Sequence, residues 1–186
     1  MLHPVRVALV LALATFAQAA APNVTYTLVG ITMSDGAVAS GSFVFNAGTN
    51  TYSSISITTS GGTVFTGQTY TAVDPSQLSF VSGSAVEFVP NPSLSNFTGT
   101  PVLVLLFSPA LTSAGGTSTL TSSYEGTCLN AACTGPGPTE RPFTAGAVTS
   151  TPVSTSVPAM SLFGLAFLAV LLAGSSMLLL RRRTLI

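Results

Sequence analysis

Between residues 23 and 149 the chain runs in short stretches where apolar side chains alternate with Ser and Thr, broken by Gly, Pro and Asn. Thr25–Thr32 alternates and is rich in β-branched residues, the pattern of a half-buried strand. Ser42-Phe43-Val44-Phe45 follows a Gly-rich break. In Thr51–Thr59 strict alternation places Ser53, Ile55, Ile57 and Thr59 on one face and Tyr52, Ser54, Ser56 and Thr58 on the other. Gly61-Gly62 marks a turn. Further strands are expected at Thr63–Phe65, Thr69–Val73, Leu78–Val81, Ala85–Val89, Thr117–Tyr124 and Phe143–Val148. Val102–Phe107 is continuously apolar, as in a strand buried on both faces. Turn signals recur about every 8–12 residues, a spacing that suggests a sandwich or barrel. The expected fold is all-β, with a single β-sandwich-like domain over residues 20–148.

The two ends break this pattern. Val7–Ala17 (VALVLALATFA) is an eleven-residue apolar run behind Arg6, followed by Ala17-Gln18-Ala19. A charged start, a short apolar core and a small-residue site make a secretory signal, residues 1–19, cut between Ala19 and Ala20. The run is too short to span a bilayer, which takes about 20 residues as helix. No Cys follows it and no twin-Arg pair precedes it, so the expected partners are signal peptidase and the general secretion machinery. At the other end Ser161–Leu180 is twenty residues without a charge, eight of them Leu. As a helix it would cover about 30 Å, the thickness of the hydrocarbon core. Arg181-Arg182-Arg183 follows and would stop the segment on the cytoplasmic side, leaving the body outside. Before the helix, residues 149–158 are low in hydrophobicity and uncharged, and read as an extended Ser/Thr/Pro linker.

Charge sharpens this reading. Only 5% of residues are charged, against about 25% in an ordinary soluble domain. Lys and Trp are absent. Between residues 20 and 157 the one base is Arg141, against Asp35, Asp74, Glu87, Glu125 and Glu140. A body with one Arg has no basic patch, so a nucleic-acid partner is excluded.

The last thirty residues resemble a bacterial CTERM sorting signal, which consists of a short motif, one transmembrane helix and a basic tail. Val157-Pro158-Ala159-Met160-Ser161-Leu162-Phe163-Gly164 is similar to the IPTL-CTERM variant, I-P-T-L-x-x-W-G. Pro158 and Gly164 match, Val157 stands for Ile, Met160 for Leu and Phe163 for Trp, while Ala159 departs from Thr. The related PEP-CTERM signal is the nearest rival, but no Pro-Glu-Pro occurs. The resemblance implies a sorting signal over 157–183 and a membrane-embedded exosortase-like enzyme as partner. That enzyme would cut at the motif, remove the helix and pass the body outward to the cell surface or medium. Pro158 would keep the motif extended for such a site, since it lacks an N–H and biases Val157 away from helix. The resemblance also suggests a biofilm setting, with extracellular polysaccharide as a possible neighbour.

Little else carries chemistry. His3, the sole histidine, lies in the signal, so the mature body has no Ser–His or Cys–His nucleophile and no His-based metal site. Cys128 and Cys133 are the only cysteines, and in an oxidising compartment they are expected to form a disulfide. A redox pair prefers C-x-x-C and zinc needs about four ligands, so both are weaker readings. Two acids could form a glycosidase pair, or Asp35 and Asp74 a calcium site, but the spacing favours acids solvated in turns. No cofactor, metal or enzymatic activity is expected. The expected role is a structural or extracellular-matrix protein; the alternative is a carbohydrate- or surface-binding module on a plain single-span anchor.

Overall fold

The computed structural model describes residues 21–151. The expected signal, its cleavage site at Ala17, Ala19 and Ala20, the sorting motif, the apolar helix and the Arg cluster lie outside the described residues. Among the described residues no helix is long and apolar enough to cross a membrane.

Ten strands follow one another: β1 (Asn23–Met33), β2 (Val38–Asn46), β3 (Thr51–Thr59), β4 (Thr69–Tyr70), β5 (Ala72–Val73), β6 (Ala85–Val89), β7 (Pro101–Ser108), β8 (Gly116–Leu120), β9 (Tyr124–Cys128) and β10 (Pro136–Ser150). All pairings are antiparallel, in the order β4-β3-β2-β1-β10-β8-β7-β6-β5, with β9 between β10 and β7. The described residues are therefore all-β, built on one large antiparallel sheet.

Two long strands turn that sheet back over itself. The first half of β10 pairs with β9, and its second half pairs with β1 and β8. The first half of β7 pairs with β9, and its end pairs with β8. β10, β8, β7 and β9 thus close a ring, and the β1–β4 side faces β6 across the main core. There the Phe43 ring of β2 lies 5.6 Å from the Phe88 ring of β6 and 5.9 Å from the Tyr26 ring of β1. Such contacts add roughly 0.5–1.5 kcal/mol each beyond the area they bury.

Alternation explains most of what is inside. Val24, Tyr26 and Leu28 of β1 face the core, and so do Leu103, Leu105 and Phe107 of β7. The other face of β7 is buried too: Val102 and Val104 join Val89, Phe97, Cys128 and Cys133 in a second, smaller apolar cluster. Val102–Phe107 is thus covered on both sides, as its composition demands. β6 is likewise buried at all five positions.

Two bulges change the parity. Gly30 has φ +62°, and the β1–β2 register shifts between Thr27 and Ile31. Glycine takes that backbone at no steric cost, and the extra residue lets both Leu28 and Ile31 point inward. On β3, Ser54 has φ 48° beside a register shift with β2. Tyr52 therefore packs against Phe43, Phe45 and Phe88, on the same face as Ile57. Strict alternation had put them on opposite faces.

Other boundaries are corrected. Thr63–Phe65 forms no strand; it lies in the loop that covers Arg141. Leu78–Phe80 is one 3-10 turn, consistent with the Pro75-Ser76 turn before it. Thr69–Val73 breaks at Thr71 into β4, which pairs with β3, and β5, which pairs with β6. Thr117–Tyr124 divides between β8 and β9. β10 continues past Val148: Thr149 pairs with Thr27 and Thr117, and Ser150 with Gly116. A hydroxyl side chain on an outward sheet face needs no hydrophobic partner, so the low hydrophobicity of Thr149 and Ser150 did not mark a linker.

Candidate functional site

Of the six charged residues in the described segment, Glu140 alone is exposed. The expectation that the acids are solvated in turns is corrected for the other four. Arg141 is 0% exposed and Glu125 1%, while Asp74 and Glu87 are 0% and 7% exposed. The Asp35 side chain is 3% exposed. They form two separate clusters.

The first is centred on Arg141, on the inward face of β10. Its Nε and Nη2 donate to Glu125 Oε2 of β9, at 2.9 and 2.6 Å. Nη1 donates to Asp35 Oδ2 in the β1–β2 turn at 3.0 Å, and Nη2 also donates to the Ser60 carbonyl at 3.0 Å. The other Glu125 oxygen accepts from Thr59 Oγ1 at 3.0 Å and from the Tyr70 hydroxyl at 2.6 Å. The Asp35 oxygens also accept from the backbone N–H groups of Ala37 and Val64. The guanidinium carbon sits 5.6 Å from the centre of the Phe65 ring. Gly62 closes the site, since a Cβ there would collide with the Asp35 carboxylate.

The electrostatics follow. Burial pushes the Asp35 carboxyl up, but the Ala37 N–H, the Arg141 guanidinium and the Val64 N–H together hold it below its ordinary value of 3.8. Burial works against the Arg141 charge, and its bonds to Glu125 and Asp35 more than restore it. Burial and the neighbouring Glu125 raise the Tyr70 phenol far above its ordinary range. Every side-chain polar atom in this cluster has a partner. It ties four strands and two loops together.

The second cluster lies on the opposite face of β6. The Asp74 N–H donates to the Glu87 carbonyl at 2.9 Å, which extends the β5–β6 pairing and sets the two acids side by side. Asp74 Oδ1 accepts from the Ser76 N–H and hydroxyl, both at 2.7 Å. Asp74 Oδ2 and Glu87 Oε1 are buried and have no hydrogen-bond donor. Above them lies the disulfide between Cys128 and Cys133, whose Cα atoms are 4.6 Å apart. One ligand-type atom from each of Asp74, Glu87, Cys128 and Cys133 lies within 4.8 Å of all the others.

The donor set does not suit a metal. The two sulfurs are bonded to each other, which leaves two carboxylates, one oxygen of which is taken by Ser76. Zinc needs about four ligands, and calcium six to eight oxygens. The calcium pair considered from the sequence is not assembled, because Asp35 belongs to the Arg141 cluster and Asp74 to this one. Nor does the Asp74–Glu87 pair line a cleft where a glycoside could reach it. A proton is what remains to neutralise it. Burial first, then the close approach and charge of Asp74, push the Glu87 carboxyl up to about 8. Tyr124, on the same face of β9, is pushed up to about 12 by burial and by the charges of Glu87 and Glu140.

Sequence reasoning missed both clusters. A signal existed for each: Glu87 interrupts an otherwise apolar run, Ala85–Val89, and Arg141 is the lone base of a body with five acids.

With the charges withdrawn, the outer face of the β1–β4 side carries hydroxyls. Ser56, Ser42, Thr27, Thr149 and Thr117 pair in register across five strands, and Thr117 and Thr149 are joined at 3.2 Å. Thr32 and Thr144 make a similar contact at 3.0 Å, and Thr58 and Thr69 one at 3.4 Å. No aromatic side chain among the described residues is exposed. Compared with protein-family models, with curated proteins and with solved structures, the chain matches none.

Proposed function

We propose that this chain is an exported bacterial protein of the cell surface or medium, whose body is a non-catalytic, β-sandwich-like component of an extracellular matrix. Signal peptidase would release the N-terminus at Ala20. An exosortase-like membrane enzyme would act at the IPTL-CTERM-like motif Val157, Pro158, Ala159, Met160, Phe163 and Gly164, with Arg181, Arg182 and Arg183 holding the tail inside.

The observation that carries the matrix role is the surface of the body. Its charges are drawn inward, Glu140 excepted, and an in-register row of Ser and Thr hydroxyls faces out. Such a surface can hydrogen-bond a hydrated neutral polymer and attracts few ions. Two further features support the reading. The disulfide Cys128–Cys133 suits an oxidising compartment. The aromatic rings that a sugar-binding platform would need are drawn into the interior, which favours the matrix role over the carbohydrate-binding alternative.

The test is the intact mass of the protein recovered from cells and from medium. A secreted species that starts at Ala20 and ends between Val157 and Ser161 is expected. A species in the membrane that starts at Ala20 and still ends at Ile186 would overturn the sorting step.

A further inference from the structure

The Asp74–Glu87 pair is an anomaly of the kind that calls for a counter-ion. Like charges directly opposite each other on paired strands repel. Here both side chains are more than nine-tenths buried, and each has one oxygen with no donor. A native structure leaves few such groups without a reason. Arg141, the only base in the described segment, is committed to Asp35 and Glu125 on the other side of the sheet. The groups that face the pair are the Tyr124 phenol of β9, which also feels the exposed Glu140 of β10, the neutral Ser76 and Gln77, the hydrocarbon of β7, and the disulfide. None is a cation, and two sulfurs already bonded to each other leave no room for a metal.

The pair is also wired to the loop above it. Ser76 binds Asp74 Oδ1 through its N–H, and its hydroxyl lies 2.9 Å from the Ala132 carbonyl. Gln77 Nε2 donates to the same carbonyl at 2.6 Å. Ala132 lies inside the disulfide loop, and that loop in turn holds the 90–100 segment through Phe97 N–H to Ala131 and Gly99 N–H to Cys128. The turn that Asp74 organises is thus one of the points that hold the cover over the outer face of β6 and β7, beside Thr71 Oγ1 to the Pro90 carbonyl and the β9 end at Cys128.

We propose that Glu87 carries a proton where it meets the Asp74 carboxylate, and that its loss in alkali unlatches the disulfide loop and the 90–100 segment from the outer face of β6 and β7. Deprotonation would leave two buried carboxylates in contact with no cation. The cheapest relief is for Asp74 to turn toward water, which carries Ser76 away from Ala132. The exposed surface would be Val89, Phe97, Val102 and Val104. The latch is closed in mild acid and opens toward alkaline pH. It is independent of how the chain is exported.

Amide hydrogen exchange on the full chain in detergent tests this, with rates corrected for the intrinsic base catalysis. Protection of the Ser76 and Phe97 amides should fall at least about tenfold between about pH 5 and pH 9, the effect of one or more pKa units of linkage. The Thr59 and Phe143 amides, beside the Arg141 cluster, should change far less. Glu87→Gln keeps a donor and removes the charge, so its Ser76 and Phe97 amides should stay protected at both pH values. Asp74→Asn provides the same control if the first variant fails to fold. Unchanged wild-type protection would overturn the latch. So would an equal fall at Thr59 and Phe143, or the full wild-type response in a folded Glu87→Gln or Asp74→Asn protein.

Discussion

The two buried charge clusters lie on opposite faces of one sheet and solve the same problem in different ways. Asp35 and Glu125 have Arg141 between them, and each carboxylate oxygen that points inward accepts a hydrogen bond. Asp74 and Glu87 have each other, two oxygens without donors, and no cation. A buried carboxylate must be paired, hydrogen-bonded or protonated. The first cluster takes the first two routes; in the second, Asp74 is hydrogen-bonded by Ser76 and Glu87 takes the third. The two should therefore respond to pH with opposite sign.

Removing the cation should have the largest effect. Arg141→Met leaves Asp35 and Glu125 buried without their partner, and breaking a buried pair on one side costs about 3–5 kcal/mol. Denaturant unfolding should show a loss of that size. A loss below about 1 kcal/mol would mean that the pair contributes no more than a surface ion pair.

The pH profile comes next. Glu87 has a folded-state value of about 8 against an ordinary 4.5, so the folded protein holds this proton more tightly than the unfolded chain. The stability it contributes is complete below about 4.5 and is lost as pH rises to about 8. Asp35 is shifted the other way, so its contribution is present above its ordinary 3.8 and is lost as pH falls through its lowered value. The wild type should be most stable in mild acid and lose about 2–4 kcal/mol toward pH 8, at about 1.4 kcal/mol per pKa unit with allowance for relaxation. Glu87→Gln should flatten the alkaline limb and leave the acid limb intact. An alkaline limb of full size in a folded Glu87→Gln protein would assign it to another group.

The disulfide should have the smallest effect. It closes a six-residue loop, for which chain entropy gives about 2 kcal/mol. Cys128→Ser with Cys133→Ser should lower stability by that amount and increase exchange at Phe97 more than at Thr59. Equal changes at both sites would mean that the second cluster has no independence from the main core.

The sequence made the strands legible wherever side-chain pattern alone decides. Thr51–Thr59 and Ala85–Val89 match β3 and β6 end to end, and the VLVLLF run is buried on both faces. Legibility fails where the backbone departs from period two. The bulges at Gly30 and Ser54 switch which parity faces inward, and a parity count cannot register an inserted residue. It also fails where order in space differs from order in sequence. Asp35 and Arg141 are 106 residues apart and Glu125 a further partner, joined only because β10 crosses from β9 to β1. Asp35-Gly36 reads as an ordinary exposed turn because nothing local shows the guanidinium that covers it. Glu87 was the one acid whose neighbours declared its burial: an acid between Ala85-Val86 and Phe88-Val89 in a strand is either an outward residue or a neutral one.

The measurement that bears most directly on this account is the pH titration of carbon-13-labelled Asp and Glu carboxyl groups in the full chain. The Glu87 carboxyl should titrate at about 8, and Asp35 below its ordinary 3.8. If instead both titrate near their ordinary values of 4.5 and 3.8, the acids are solvated as in any surface turn, and the inward withdrawal of charge is wrong.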